Sequence, residues 1–519
     1  MSRLSLAGVL IAFVLVGCSG PGGMEESTPP SNEPGDLPPE TGEPEVTFPS
    51  SPARIVIDEA GGDWEPVPVR HSDPSGDGEG LDLGRLWVSH DDTHLFLRFE
   101  SGRTINLTEG NDLTLYLDTD NDRGTGERVQ GLGADLAWTF GERSGRFYAN
   151  GSSSEIGHAD IGLTALPTVR GSTFEVALDR SAQPVGDTPL FEGDSLRIAL
   201  AGPEDQLPDD DGGVGYAFSA TDLPPLSEAS LDPPADGVRL LGFNVLQGRL
   251  FDPEARDSYA RVLQSLDADV LGFSEVYDRS SQATADRVAA LTGTDGWHHA
   301  KRGLDLVAVS RYPIQEAHAI PGYEGNQSGA FLLDADSTLG APLLLILAHP
   351  PCCNYADAQP SRDAQRQRVV DGIAAFLRKV KNDNAPFPVP DNTPIVVAGD
   401  MNFVGDPQQP ETIRTGEIVN TDEFGPSEAP DWDGSSLLDT NPRQTGAPMH
   451  TTWINPESSF PPSRLDYVYV SDSVLEVQNE FVLRTGTLSS SRRAAVGVEA
   501  NDTATTSDHL PLVVDVVLR

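Results

Sequence analysis

The chain has 519 residues, 38% of them hydrophobic, and a formal net charge of -45 from 35 Lys and Arg against 80 Asp and Glu. That length allows about two to four domains with sizeable cores, and a surface this acidic repels polyanions, which disfavours duplex DNA as a partner without excluding it. General acidification for a salty habitat, where counterions screen most of the field, accounts for the same charge without any partner.

Residues 4–17 form an apolar run behind Arg3 that matches a signal-peptide core and is too short to cross a bilayer alone. Leu15-Val16-Gly17-Cys18 resembles a bacterial lipobox. The resemblance implies cleavage before Cys18, acyl chains on its sulfur, and an exported protein tethered to the cell envelope at the outer membrane or cell surface. A chance Cys behind an export signal is the alternative. Only the adjacent pair Cys352 and Cys353 then remains, so no ordinary disulfide framework is available. Residues 19–51, rich in Pro, Gly, Ser and Glu, bury no core and read as an extended spacer.

From residue 53 to about 218, short β-type runs follow one another: Arg54-Ile55-Val56-Ile57, Leu86-Trp87-Val88, His94-Leu95-Phe96-Leu97-Arg98-Phe99, Leu113-Thr114-Leu115-Tyr116-Leu117 and Thr173-Phe174-Glu175-Val176-Ala177-Leu178. Period-two alternation punctuated by Gly and Asp predicts an antiparallel β-sandwich over 52–222. The passage from Ile57-Asp58 through Asp63-Trp64, the run 94–99, and Asp118-Thr119-Asp120-Asn121-Asp122-Arg123-Gly124-Thr125-Gly126 resemble carbohydrate-binding modules of the family-nine and DOMON-like type. That resemblance implies a glycan as this domain's partner. Asp118, Asp120 and Asp122 alternate so as to present oxygens to Ca2+, although Gly124 comes one position late for an EF-hand and Val129 stands where the bidentate Glu belongs. A solvated Asp-rich hairpin is the other reading. Trp64, Trp87 and Trp138 either stack on sugar rings or fill the core.

Residues 223–236, from Leu223-Pro224-Pro225 to Asp232-Pro233-Pro234, form a second Pro-rich linker. From 237 to 519 the texture becomes α/β. Strands are predicted over 238–243, 269–273, 304–309, 343–348 and 393–398. Asp252-Pro253 caps a helix aligning Tyr259, Val262, Leu263 and Leu266, and Ser361 opens another with Val369, Val370, Ile373, Phe376, Leu377 and Val380 on one face. Gly399-Asp400-Met401-Asn402 sets a carboxylate and a carboxamide at a strand end. Open α/β sheets place ligand chemistry there, and such a pair can aim a water and hold an oxyanion. Alone the motif is more often a turn bonding its own backbone.

Other strand ends deliver further polar groups: Asn244 after Leu241-Gly242-Phe243, Glu275 after Leu271-Gly272-Phe273-Ser274, His349 after Ile346-Leu347-Ala348, then Arg464-Leu465-Asp466-Tyr467 and Ser507-Asp508-His509. This order resembles the endonuclease/exonuclease/phosphatase superfamily, the DNase I-like metallohydrolases, from about 238 to 519. Val309-Ser310-Arg311-Tyr312-Pro313-Ile314 is similar to that family's strand ending in Ser-Arg-x-Pro. The resemblance implies a four-layer α/β sandwich, two packed sheets flanked by helices, behind the N-terminal all-β sandwich. It also implies attack of water on a phosphodiester or phosphomonoester with Mg2+, or Mn2+ in its place. Carried over residue by residue, it makes Glu275 the principal metal ligand with Asn244 beside it and Asp508 the holder of a second metal. Asp400 would orient or deprotonate the water, and Asn402 would donate to a phosphoryl oxygen. His509 would act as acid or base with Asp466 fixing its tautomer, and His349 would contact phosphate or assist the leaving group.

The family usually carries a carboxylate or Arg on a strand between the Glu and the central His, for which Lys301, Arg302 and Asp305 are the candidates. Pro350-Pro351-Cys352-Cys353 should sit at the cleft rim, as a vicinal disulfide, a thiol pair on metal, or a reduced pair. The stretch 403–462 is long enough for a substrate-selecting loop, and Asp431, Trp432 and Asp433 within it disfavour a phosphate-backbone track. The sequence therefore points to a small or lipid-like phosphoester. An extracellular nuclease and a catalytically silent surface binding protein are the alternatives.

Overall fold

The structure, a computed structural model, describes residues 48–519 except 221, 324–326 and 354–359. The signal-peptide run, the lipobox with Cys18 and all but the end of the 19–51 spacer lie outside the described residues. Residues from Phe48 to Arg519 form one compact unit.

Alternating runs in the first half become two antiparallel sheets. One is ordered Val69–Ser72, Arg85–His90, His94–Ile105, Gly171–Asp179, Thr164–Leu166. The second is ordered Gln206–Leu207, Ser195–Ala201, Thr114–Asp118, Leu136–Thr139, Ser144–Ala149, Ser152–Ile156. Register pairs Leu95 with Leu178, Leu97 with Val176 and Phe99 with Phe174, so one face of these strands is continuously apolar. It packs on Leu115, Leu117, Leu136 and Trp138 of the other sheet. Trp64, Trp87 and Trp138 are all buried, at 1%, 6% and 1% exposure, so none offers a ring face to a sugar. The guanidinium groups of Arg85 and Arg98 instead lie over the Trp87 ring at 4.8 and 4.9 Å.

Two six-stranded sheets build the second half. The first runs His298–Arg302, Leu306–Ser310, Val270–Ser274, Val238–Asn244, Leu512–Leu518, Leu475–Val482; the second runs Ile314–Ala319, Ser328–Leu333, Leu343–Ala348, Ile395–Asp400, Asp466–Val470, Leu438–Asp439. Strand side chains alternate faces, and here both faces are covered. Leu240, Val270, Leu345, Leu347, Val396 and Val514 meet in the core between the sheets. Leu241, Phe243, Leu271 and Phe273 face outward onto Tyr259, Val262, Leu263 and Val288 of the helices Arg256–Leu266 and Ser281–Thr292. On the opposite outer face, Leu344, Ile346 and Val397 meet Val369, Val370 and Ile373 of the helix Arg362–Lys381. The result is the expected four-layer α/β sandwich. The sheets approach closely at Gly272, where a Cβ would lie 2.5 Å from Leu347 Cδ2.

Local boundaries differ in instructive ways. The Ser361 hydroxyl does accept from Ala364 N at 3.3 Å and caps its helix. The earlier helix starts at Arg256 rather than at Pro253, because the Asp252 carboxylate spends itself on Glu254 N in a short turn before it. Of the stretch 403–462, Val404, Trp453, Ser458 and Phe460 line the cleft, and the rest packs elsewhere. Ala447 and Met449 pack with Ile55, Ile57 and Trp64 of the first half, and His450 N donates to Ile57 O at 3.1 Å. Asp431 accepts from Ser473 N at 3.0 Å and Trp432 Nε1 donates to Thr393 O at 2.7 Å. Thr393 precedes the strand that ends at Asp400, so this acidic turn lies at the opposite end from the cleft and sets nothing there.

Candidate active site

Each sheet of the second half contains one parallel pair, Val238–Asn244 with Val270–Ser274 and Leu343–Ala348 with Ile395–Asp400. Parallel neighbours end on the same edge, so these four strands deliver Asn244, Glu275, His349 and Asp400 to one rim. Antiparallel neighbours contribute through their starts: Asp466 pairs directly with Asp400, and His509 lies just before Leu512–Leu518 beside Val238–Asn244. Six residues spread over 266 positions of sequence thus meet because of strand direction.

The focus is Asp400 Oδ2. Asn244 Nδ2 donates to it at 2.9 Å, His349 Nε2 lies 3.5 Å away and His509 Nε2 3.6 Å away. Asn244 Nδ2 also donates to Glu275 Oε1 at 3.1 Å. Each imidazole is backed by a carboxylate on its other nitrogen: Asp466 Oδ2 lies 2.8 Å from His509 Nδ1, and Asp305 Oδ2 lies 2.5 Å from His349 Nδ1. Asp305, in the turn between the strands His298–Arg302 and Leu306–Ser310, is therefore the one of the three candidates that reaches the site. Lys301 donates to the carbonyls of Val276, Tyr277 and Arg279, and Arg302 to Ala317 O, so both are spent on backbone. Asp305 also accepts from Glu275 N at 2.9 Å and holds Glu275 at φ 64, a left-handed conformation that costs a non-glycine residue about 1 kcal/mol. Gly399 has φ 144, and a Cβ on it would meet Ala348 O at 2.0 Å, so the residue before Asp400 has to be glycine.

The two other predicted residues reach the same cleft by different means. Asn402 is buried, and one N–H of its amide donates to Pro350 O at 3.1 Å, tying the turn after His349 to the turn after Asp400. Asp508 accepts from Trp453 Nε1 at 3.0 Å through Oδ2, while Oδ1 is buried without a hydrogen-bond partner. Cys352 and Cys353 line the cleft with no disulfide between them, the Cys353 thiol donating to Cys352 Sγ at 2.7 Å.

Burial and charge shift the titrating groups. Burial pushes Asp400 up to about 6, against the cations of His509 and His349. Burial disfavours the charged form of His349, but the Asp305 hydrogen bond and the charges of Asp400, Asp305 and Glu275 prevail and raise it to about 9. His509 is raised to about 10 against the same burial penalty, by the charges of Asp466 and Asp400 and the Asp466 hydrogen bond. Asp305 is held below its ordinary range because its contact with His349 outweighs its burial.

A divalent cation fits this donor set. Oxygens of Glu275 and Asp400 lie within 4.8 Å of one another, and the Asn244 amide nitrogen sits as a partial positive charge between the two carboxylates. A hard cation prefers such oxygens, with water completing its shell. In the first half, Asp118 and Asp120 converge as expected, but the third carboxylate is Asp135. Asp122 turns away to accept from Gly124 N at 2.8 Å, the local turn bond that its spacing favours.

The cleft has a volume of about 610 Å³. Tyr277, Leu304, Trp453 and Phe460 supply apolar wall around the carboxylates and imidazoles. Asn106, Thr108, Glu109 and Thr168 of the β-sandwich complete one side. No pattern within 237–519 points to those four, because they enter through docking between the halves: Asn106 Nδ2 donates to Val404 O at 3.1 Å, and Arg464 N to Thr168 Oγ1 at 3.0 Å.

The chain belongs to the Endonuclease/Exonuclease/phosphatase family, whose model matches residues 241–509, just over half of its length, and it is a metal-dependent hydrolase acting on phosphate esters. Among solved structures, the human Nocturnin catalytic domain with bound sulfate is similar at 17% identity and a TM-score of 0.34, covering 56% of this chain and 100% of that one. The D. rerio TDP2 complex with a single-strand DNA product matches at 15% identity and a TM-score of 0.34, over 54% and 98% of the two chains. Sphingomyelinase C from Streptomyces griseocarneus matches at 16% identity and a TM-score of 0.30, over 54% and 99%. No curated protein sequence matches the chain.

Proposed function

We propose that the protein is an exported, Mg2+-dependent phosphoesterase that hydrolyses a small phosphate ester carrying an apolar or aromatic group. The observation that carries this reading is the convergence of His349, His509 and Asn244 on one oxygen of Asp400 with Glu275 alongside. Glu275 and Asp400 would hold the ion, which would supply Lewis-acid neutralisation of the phosphoryl charge, while the Asn244 oxygen is spent on Leu246 N and its amide nitrogen bridges the two carboxylates. Asp400 orients the attacking water and takes its proton. His509, charged and aligned by Asp466, donates to a phosphoryl oxygen as negative charge builds there. His349, aligned by Asp305, carries a proton toward the leaving oxygen. Asn402 keeps the turns behind both groups at fixed separation.

Two features favour a small ester over a nucleic acid. A net charge of -45 opposes a polyanion, and the sandwich residues Asn106, Thr108 and Glu109 stand along one side of the cleft. Export and a lipid anchor at Cys18 rest on the apolar run 4–17 and the lipobox-like Leu15-Val16-Gly17-Cys18. The test is a panel of bis-(p-nitrophenyl) phosphate, sphingomyelin, inositol and sugar phosphates, single-stranded DNA and duplex DNA, each with Mg2+ and with EDTA. Turnover of small or lipid esters only, abolished by EDTA, is expected. Faster turnover of DNA than of every small ester would replace this reading with a nuclease, and no turnover of any member would end it.

A further inference from the structure

Apart from the residues that line the cleft around Asp400, two acidic loops of the β-sandwich close on each other. Asp73 and Asp77 lie in the connection between Val69–Ser72 and Arg85–His90, and Asp205 and Asp209 flank the strand Gln206–Leu207. Both pairs are spaced i, i+4, and one oxygen from each of the four carboxylates lies within 4.8 Å of the others. The loops are in close contact: a Cβ on Gly78 would reach Asp205 Cβ at 3.1 Å, and one on Gly80 would meet Glu204 Oε2 at 1.7 Å.

Asp77 and Asp209 are exposed to solvent, but at Asp73 the protein supplies no donor of its own. The Asp73 side chain is fully buried, and neither of its carboxylate oxygens has a hydrogen-bond partner. Among the described residues no Lys or Arg makes an ion pair with any of the four. His71 holds its Nε2 3.8 Å from Asp73 Oδ1, and burial keeps its imidazole toward the neutral form. Burial together with the charges of Asp209, Asp205, Asp77 and Asp82 pushes the Asp73 carboxyl up to about 7. Asp205 is the best satisfied, accepting from Leu83 N at 2.5 Å and Gln206 N at 2.8 Å, which fixes one oxygen on each side of its carboxylate. A buried carboxylate without donors, aimed into three others, is satisfied either by a proton or by a cation.

We infer that Asp73, Asp77, Asp205 and Asp209 form a structural Ca2+ site that clips the two loops of the sandwich together. All donors are carboxylate oxygens, which select a hard cation. They come from two separate loops, which suits the flexible six- to eight-oxygen shell of Ca2+ better than the tight octahedron of Mg2+. The site is independent of the phosphoesterase reading, since it shares no residue with the cleft.

The test is calcium titration of the full chain after EDTA treatment, with unmodified protein, Asp73→Asn and Asp209→Asn. Each variant should bind one fewer equivalent of Ca2+ than the unmodified chain. Saturating Ca2+ should raise the unmodified chain's Tm by about 5 °C and the variants' much less. In EDTA the order should reverse, with Asp73→Asn at least as stable as the unmodified chain, because the uncompensated buried charge is gone. Equal stoichiometry in all three proteins, or an equal shift with Mg2+ at the same concentration, overturns the assignment. Should the variants fail to fold, crystals of the unmodified chain grown in Ca2+ decide the matter. An anomalous-scattering peak about 2.3 to 2.6 Å from Asp73 oxygens supports the site, and its absence overturns it.

Discussion

His509 Nε2 lies 3.6 Å from Asp400 Oδ2, and His349 reaches the same oxygen from the opposite sheet at 3.5 Å. Each imidazole has its own carboxylate behind it, Asp466 for the first and Asp305 for the second. The two pairs should therefore respond alike to removal of the rear carboxylate. Asp466→Asn and Asp305→Asn each leave the imidazole in place but weaken its charge and tautomer. We expect kcat on bis-(p-nitrophenyl) phosphate to fall about 10² to 10³-fold in each, with KM changing only a few-fold. His509→Asn and Asp400→Ala should fall at least as far. Full kcat in Asp305→Asn would show that His349 works without it.

Glu275 offers both oxygens to the site entrance, one accepting from Asn244 Nδ2 at 3.1 Å and the other from Gln247 N at 2.6 Å. Glu275→Gln keeps the shape and loses the charge. EDTA should abolish turnover of the unmodified protein, and added Mg2+ should restore it. The variant should need about 10 to 100-fold more Mg2+ for half-maximal rate. Titrating activity against Mg2+ checks this, and an unchanged midpoint would remove Glu275 from the ligand set.

How much of this was readable in the chain depends on whether a signal was local. Asn244, Glu275, His349 and Asp400 announce themselves because each ends an apolar strand, and strand ends on a common edge are a property of pattern and direction. The four-layer stack is legible for the same reason, through outward Leu241 and inward Leu240 on one strand. Asp305 is visible only as one of three polar candidates, because burial against His349 is a relation between distant segments. The docking of Met449 onto Ile57 was not legible at all: an apolar residue in a Pro-rich stretch looks like any loop residue until its partner is placed. Trp64, Trp87 and Trp138 show the converse limit, since composition does not say which face of a sandwich an aromatic occupies.

Arg464 ties the halves together, and its role is structural. It is 3% exposed, reaches Glu59 Oε2 of the first half at 3.5 Å, pairs with Asp439 of the second, and stacks over Tyr467 at 4.0 Å. Removing it leaves two half-buried carboxylates without their cation. Arg464→Ala should cost about 3 to 5 kcal/mol in urea denaturation. Arg464→Lys should recover only part of that, because an ammonium cannot fork to both acids while lying flat on the ring. A cost under about 1 kcal/mol for the alanine variant would mean that the halves dock through apolar contacts alone.

Glu175 provides a pH dependence whose sign follows from its surroundings. It is 3% exposed, one oxygen accepts from Asp58 N and Glu59 N, and the other has no partner. Burial, followed by the Asp58 charge, raises it from 4.5 in an ordinary setting to about 7. Between those values the folded chain binds more proton than the unfolded chain, so this residue's contribution is fully present below about 4.5 and is lost as pH climbs through 7. The loss is on the order of 3 kcal/mol. Glu175→Gln carries no titrating proton and escapes it. Urea denaturation at pH 5 and pH 8 should find the variant gaining on the unmodified protein at the higher pH. Parallel pH profiles for the two proteins would show that Glu175 finds, in solution, a cation or water that the surrounding side chains do not provide.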